Sequence, residues 1–219
     1  LVKAVQKWQK SHNLTADGLV GPMTYRRRWT EREMDISDYK PPKKCLFSPK
    51  SKYIVHNGNF IPIKWEKVIL WDESDGFKSK KGSYLDNTGN PDRQPTMFVN
   101  HWDVCLSSES KILNKRGISV HFLIDNDGTI YQMLDTQHIA WHAGIPRYEG
   151  GNNKGIGVEI SNAYYPKYQE WYIKHGFGER PLQEDGYVHG STLKPFLDFY
   201  PIQIEALKAL WKAVHLGIS

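Results

Sequence analysis

The sequence is poor in cysteine and has no long apolar run. Cys45 and Cys105 are the only cysteines among 219 residues. Two are too few for a disulfide scaffold or a cysteine-rich zinc site, and the sequence leaves their pairing open. No segment approaches the roughly 18 to 20 consecutive apolar residues of a membrane helix, and lysines interrupt Leu1 to Lys10, where a signal peptide would be apolar. We therefore expect a monomeric globular protein with no integral membrane association and no export signal of its own.

The sequence is rich in basic and aromatic residues. A formal net charge of +5 and an isoelectric point near 9.0 favour an anionic partner, which could be nucleic acid, a membrane surface or the bacterial wall. The eight tryptophans and twelve tyrosines favour flat ligands, because aromatic faces stack on sugar rings as well as on bases. With 39% hydrophobic residues, the chain can build one large core and a small satellite domain.

The chain divides into three parts. Residues 1–34 contain a helical pattern from Val2 to His12, a turn, and a basic helical pattern after Gly21-Pro22, which together predict a small all-α module. Residues 35–52 are polar and contain three prolines, as is typical of an exposed linker. We expect the main domain to comprise residues 53–219.

The main domain alternates predicted strands with predicted helices. Asn57-Gly58 between two apolar runs predicts a β-hairpin. A helix is predicted from Ser107 to Arg116, with Ser107 as its N-cap. Further strands are predicted at residues 96–101, 118–124, 129–134 and 156–161, and a final helix with an apolar stripe at residues 201–215. This alternation predicts an α/β fold with a mixed central sheet flanked by helices.

Glu159 breaks the usual composition of a strand. From Gly155 to Ser161, apolar residues alternate with the glycines, Glu159 and Ser161, so a carboxylate lies in the middle of a strand beside residues without side chains. Glycines allow another group to approach closely, and glutamate is a poor strand former, which favours a functional site. The alternative is a glutamate on the solvated face of an edge strand.

Two histidines are placed where they could serve a ligand. His101 ends a predicted strand and can point off the sheet edge into a cleft, which suits a metal ligand. The alternative is a histidine that is hydrogen-bonded at a strand end. Trp141 and His142, among small residues, are typical of a loop that presents rings to a ligand, although such pairs also occur in cores.

Four segments, taken together and in order, resemble one family. They are VNHWD (Val99–Asp103), SVHFLIDNDGTIYQML (Ser119–Leu134), AWHAG (Ala140–Gly144) and NNKGIGVEISN (Asn152–Asn162). In sequence and spacing they are similar to the zinc amidases that include bacterial anhydromuramyl amidases, phage endolysins and peptidoglycan-recognition proteins. In addition, LTADGLVGPMTYRRRW resembles the second half of a peptidoglycan-binding module, so residues 1–34 are interpreted as part of such a module.

The resemblance implies roles for individual residues. His101 matches a zinc ligand of the family, and Glu159 matches its catalytic carboxylate. His142 matches a histidine of the substrate cleft, and His121 matches the strand position that follows a catalytic tyrosine in the short phage enzymes. With Trp141 added as an exposed ring, we therefore predict Trp141, His142 and His121 as substrate contacts.

The remaining zinc ligands are not assigned by the resemblance. In the family they follow the last long helix, so we expect them beyond Ser219 and expect the catalytic domain to be incomplete at its C-terminal end. His189 and His215 are the fallback candidates within the sequence, although a charged His215 would equally complement a helix dipole. Val120 stands at the position of the family's tyrosine, so that role is absent or filled by another group.

The implied function is hydrolysis of the amide between N-acetylmuramic acid and L-alanine in bacterial peptidoglycan. Zn²⁺ would activate the attacking water, and Glu159 would move the proton. One competing interpretation is a peptidoglycan-recognition protein that does not cut. Another is a nucleic-acid-binding module, which we set aside because basic runs are usually solvated helix faces. A phage endolysin that stays in the host cytoplasm until its release to the cell wall would fit the lack of a signal peptide.

Overall fold

A five-stranded mixed sheet organises the main domain. The structure is a computed structural model, and it describes residues 2–20, 24, 27–28, 53–88, 93–108, 110–144 and 150–218. Its strands are β1 (Tyr53–His56), β2 (Asn59–Pro62), β3 (Val68–Leu70), β4 (Tyr84–Leu85), β5 (Met97–Trp102), β6 (Phe122–Ile124), β7 (Ile130–Gln132), β8 (Ile139–Ala140), β9 (Gly155–Ile160), β10 (Leu182–Gln183), β11 (Tyr187–Val188), β12 (Ser191–Thr192) and β13 (Phe196–Leu197). Its helices are α1 (Val2–Ser11), α2 (Ser110–Arg116), α3 (Gly151–Lys154), α4 (Gln169–Lys174) and α5 (Pro201–Ile218), with a 3₁₀ turn at Pro166–Tyr168. Within these ranges, no helix is long and apolar enough to cross a membrane.

Strand β9 lies inside the large sheet. The strand order is β3-β7-β6-β9-β5, and β9 runs parallel to both of its neighbours, whereas β6 and β7 are antiparallel. Parallel neighbours need long crossover connections, which here contain the shorter helices and strands. The mixed α/β architecture predicted from the sequence is confirmed.

Helix α5 covers one face of this sheet. Its buried residues Leu207 and Leu210 share an apolar core with Ile156 and Val158 of β9. Because side chains alternate along a strand, Glu159 points to the opposite face. The candidate site therefore lies on the side of the sheet away from α5.

The predicted hairpin is present, but one predicted strand is shorter. Asn57 and Gly58 form the turn between β1 and β2, and both adopt the left-handed conformation, with φ of 48° and 72°. The strand predicted at residues 118–124 begins only at Phe122. Upstream of it, the N–H of Ser119 donates to the carbonyl of Trp141 at 3.2 Å, so the chain there bonds to the loop that carries Trp141.

The helix predicted at residues 107–116 begins at Ser110. Ser108 stays outside it because its N–H donates to Asp125 Oδ1 at 3.0 Å and its hydroxyl lies 2.9 Å from the hydroxyl of Ser161. These bonds hold the segment in the core before the helix begins. The predicted N-cap position is therefore corrected: the segment that contains Ser107 is buried polar structure and not a helix end.

The chain between β9 and α5 forms elements that the sequence patterns do not predict. Helix α4 buries Trp171 and Tyr172 in a third apolar cluster, together with Tyr200. The four short strands that follow pair β10 with β13 and β11 with β12. Helix α5 ends at Ile218, three residues later than predicted.

The described part of the N-terminal segment has a buried polar centre. Gln9 is 1% exposed, and its Nε2 donates to Thr24 Oγ1 at 3.0 Å. The guanidinium carbon of Arg27 lies 3.6 Å from the ring centroid of Tyr165, an attractive cation–π geometry. The segment therefore contacts the main domain.

Three predictions concern residues outside the described ranges. The second helix of the N-terminal module is described only at Thr24, Arg27 and Arg28, and the linker at residues 35–52 not at all. Cys45 lies in that linker, so its pairing stays a prediction, and Cys105 is buried. The three-part domain division likewise stays a prediction.

Candidate active site

Glu159 lies on β9, an inner strand of the large sheet. In the strand register it stands opposite His101 of β5 on one side and Leu123 of β6 on the other. Register partners on parallel strands point to the same face, so His101 and Glu159 share one face of the sheet. Glu159 is 2% exposed. The alternative of a solvated glutamate on an edge strand is therefore excluded.

His101 meets His142 in this cleft. His101 Nε2 and His142 Nδ1 are 3.0 Å apart, and the rings are in a T-shaped arrangement with centroids 5.2 Å apart. The Nε2 atom of His142 is buried and has no hydrogen-bond partner among the described residues. The structure thus brings together the predicted metal ligand and one of the predicted substrate contacts.

Gly157 makes room for the His142 ring. A Cβ atom built on Gly157 would lie 2.6 Å from both Cγ and Cδ2 of His142, well inside van der Waals contact. This is the close approach for which a glycine at this position of β9 is needed. The sequence pattern pointed to such an approach without identifying the ring that makes it.

Trp141 and His121 take different positions relative to the cleft. Trp141 is 41% exposed, and its backbone N–H donates to Ser119 Oγ at 3.1 Å. His121 is fully buried; its Nδ1 accepts the N–H of Gly157 at 3.0 Å, and its Nε2 lies 3.0 Å from the carbonyl of His138. Because both of its nitrogens are engaged, His121 holds β9 in place and offers no nitrogen to a ligand. This corrects the prediction of His121 as a substrate contact.

Burial keeps the imidazoles of His142 and His121 neutral. It lowers the pKa of His142 to about 4, with smaller contributions from His101 and from the buried cation Arg93. Burial, followed by Arg93, also holds the pKa of His121 well below its usual range. Neutral imidazole is the form that binds metals and accepts hydrogen bonds. His142 is therefore ready for either role at neutral pH.

Asp103, which no sequence pattern singled out, is a buried carboxyl group beside the site. Its Oδ1 accepts the N–H groups of Cys105 at 2.9 Å and Asn162 at 3.1 Å, and its Oδ2 accepts the Ser161 hydroxyl at 2.9 Å. Burial, and then the charge of Glu159, raise its pKa well above the usual range. Its position two residues after His101, directly after β5, was the available signal.

A polar network continues from Asp103 into the core. The hydroxyl of Ser161 also contacts the hydroxyl of Ser108, and the backbone N–H of Ser108 donates to Asp125 Oδ1. Burial raises the pKa of Asp125 to about 6. Arg180 lies between the rings of Tyr172 and Tyr200 and donates to the carbonyl of Ser161 at 2.9 Å. The network fixes the end of β9 just beyond Glu159.

The fallback ligands lie elsewhere. His215 lines a groove between α5 and β5 together with Phe98 and Ile156, on the sheet face opposite Glu159. His189 is exposed in the turn between β11 and β12. The structure does not bring either one to His101. Across the ranges that the structure describes, no group of three or more His, Cys, Asp or Glu side chains could hold a metal ion.

The chain belongs to the N-acetylmuramoyl-L-alanine amidase family. The family's sequence profile matches residues 86–217, a range that contains β5, β9 and all the cleft residues. Among curated relatives, AmiD of Escherichia coli strain K12, an N-acetylmuramoyl-L-alanine amidase, is 24% identical over 153 residues. That alignment covers 64% of this chain and 48% of the relative, so the chain spans about half the relative's length.

Similar solved structures have low overall superposition scores. AmpDH3 of Pseudomonas aeruginosa, solved in complex with anhydromuramic pentapeptide, is 22% identical, with a TM-score of 0.37 and coverage of 64% of this chain and 51% of that chain. Peptidoglycan recognition protein 1 of Manduca sexta is 17% identical, with a TM-score of 0.41 and coverage of 69% and 73%.

Proposed function

We propose that this protein hydrolyses the amide between N-acetylmuramic acid and L-alanine in bacterial peptidoglycan, with the help of zinc. The observation that carries the proposal is the buried Glu159 in register with His101 on an inner strand of the sheet. An ionisable group costs free energy when it is buried, and such groups concentrate at functional sites. Family membership supplies the reaction class.

The donor chemistry at the cleft fits a zinc ion at His101. Zinc in catalytic sites takes nitrogen and oxygen ligands, and neutral imidazole is among the commonest. His101 Nε2 lies 3.0 Å from Nδ1 of His142, whose other nitrogen is a buried atom without a partner in the described ranges. We propose His101 as one ligand. Zinc, when bound, lowers the pKa of a coordinated water to about 7 and polarises the scissile carbonyl.

The protein's own residues carry the proton and hold the substrate. Glu159 takes a proton from the attacking water as the water oxygen bonds to the amide carbonyl carbon, and it passes that proton to the amine of L-alanine as the C–N bond breaks. His142 contacts the substrate near the scissile bond, and the exposed ring of Trp141 packs against the sugar or the peptide. The buried surroundings of Glu159 exclude other water, which strengthens its interaction with the developing charge.

Replacement of Glu159 by glutamine tests the proton-transfer role. Glu159→Gln keeps the shape of the side chain and removes its basicity, so turnover should fall by roughly 10²- to 10⁴-fold while wall binding stays near the parent level. The measurement is release of L-alanine amino termini from purified peptidoglycan at equal zinc occupancy. Glu170→Gln is the matched control, because Glu170 is exposed on α4. Parent-level release by Glu159→Gln would refute the role.

A second function, peptidoglycan recognition without cleavage, has one observation in its favour. The described residues contain no three-ligand metal group, and a catalytic zinc normally takes three protein ligands. Zinc content of the full-length protein separates the two functions. For the enzyme we also propose an endolysin role, with monomeric protein held in the host cytoplasm until it is released to the wall.

A further inference from the structure

We infer that Asn152 is the positioning residue that fixes His142 in the cleft. The inference rests on the proposed function for its catalytic consequence, whereas its structural part stands alone. Asn152 Oδ1 accepts two hydrogen bonds from consecutive backbone N–H groups, those of His142 at 2.9 Å and Ala143 at 2.7 Å. The side-chain oxygen of Asn152 therefore holds the backbone of His142 in place.

These two hydrogen bonds fix the position of the His142 ring, because the surrounding residues leave little space for the ring to move. The His142 ring lies against Gly157 on one side and meets His101 Nε2 at 3.0 Å through Nδ1. A shift of the His142 backbone would break one of these contacts. These two bonds, which span ten and nine residues, also tie the segment that contains His142 to α3.

Asn152 is itself anchored. The guanidinium of Arg93, which is 7% exposed, donates from Nη2 to the carbonyl of Gly155 at 2.9 Å and approaches the carbonyl of Asn152 at 3.4 Å. Arg93 also donates to the carbonyl of Thr136. The guanidinium thus joins α3 to the segment after β7, so the acceptor oxygen of Asn152 has a stable base.

The geometry defines which residues can replace Asn152. Aspartate has a carboxylate oxygen at the same reach and accepts N–H bonds more strongly because it is charged. Alanine has no acceptor. Glutamine carries its acceptor one methylene farther out. If Asn152 acts by accepting these two bonds, aspartate preserves the position of His142, while alanine and glutamine do not.

Amide hydrogen exchange tests the structural part on the protein itself. In Asn152→Ala, exchange at the His142 and Ala143 amides should accelerate by roughly tenfold or more, because each loses its acceptor. Asn152→Asp should keep both amides at the parent rate. Asn153→Ala is the matched control, since Asn153 is the exposed neighbour on the same helix. If Asn152→Ala fails to fold, Asn152→Gln supplies the same comparison.

Kinetics tests the catalytic consequence. We expect kcat/KM on peptidoglycan to fall by roughly 10- to 100-fold in Asn152→Ala, the range seen when the group that orients a site residue is lost, and to recover in Asn152→Asp. Parent exchange rates at both amides in Asn152→Ala, or equal effects in Asn153→Ala, would overturn the inference. An inactive parent with the expected exchange pattern would instead refute the proposed function and leave the positioning role supported.

Discussion

Substitution of Gly157 by alanine probes the packing on which the cleft depends. The added Cβ would lie 2.6 Å from the His142 ring, and ordinary contact begins at 3.4 Å, so the ring must retreat by about 0.8 Å. Overpacking of this kind in a buried site costs about 1 to 3 kcal/mol of the free energy of unfolding. A retreat of the ring also breaks its 3.0 Å contact with His101.

A double-mutant cycle assigns this cost to the His142 ring. In the parent, Gly157→Ala should destabilise by about 1 to 3 kcal/mol; in a His142→Ala background the cost should vanish, because no ring is left to displace. The measurement is urea unfolding of the four proteins without metal. Activity should fall by roughly 10²-fold in Gly157→Ala, as for a displacement of about 1 Å at a reacting centre. An equal cost in both backgrounds would refute the packing argument.

Two further predictions concern the metal and the buried carboxyl group Asp125. Full-length protein should contain about one zinc per chain, as measured by elemental analysis after dialysis. His101→Ala should lose this zinc, whereas His189→Ala should keep it. Zinc retained in His101→Ala would contradict the ligand assignment. Burial raises the pKa of Asp125 to about 6, so the folded protein favours the protonated form of this carboxyl group. The stability that this preference contributes is fully present below pH 3.8 and is lost as the pH rises through 6. Asp125→Asn should therefore gain up to about 3 kcal/mol of unfolding free energy relative to the parent between pH 4 and pH 7; parallel pH profiles in urea unfolding contradict this.

The features that the sequence predicted are those with a local signal. The Asn57-Gly58 turn and the apolar stripe of α5 depend on neighbouring residues, and both elements are present as predicted. The alternation of glycines with Glu159 likewise indicated a close approach on one strand face. Local patterns of this kind are readable because turn and strand geometry fix where each side chain points.

The features that the sequence did not predict depend on distant partners. The two nitrogens of His121 are occupied by Gly157 and His138, which no local pattern reveals. Asp103 and Asn152 were inside the quoted motifs, but their roles come from bonds that only the folded chain creates. Helix α2 begins late because Ser108 is bonded into the core, and tertiary bonds of this kind override the local N-cap preference.

The parallel pairing of β5 with β9 also determines when the site can appear during folding. His101 and Glu159 are register partners although 58 residues separate them, from 101 to 159, and β6 joins the same strand from 36 residues away, from 122 to 158. Contacts between residues so far apart form slowly, because the chain must close long loops before it gains any pairing energy. No fragment that stops before residue 159 contains both His101 and Glu159. A chain emerging from the ribosome should therefore lack the cleft until β9 pairs with β6 and β5.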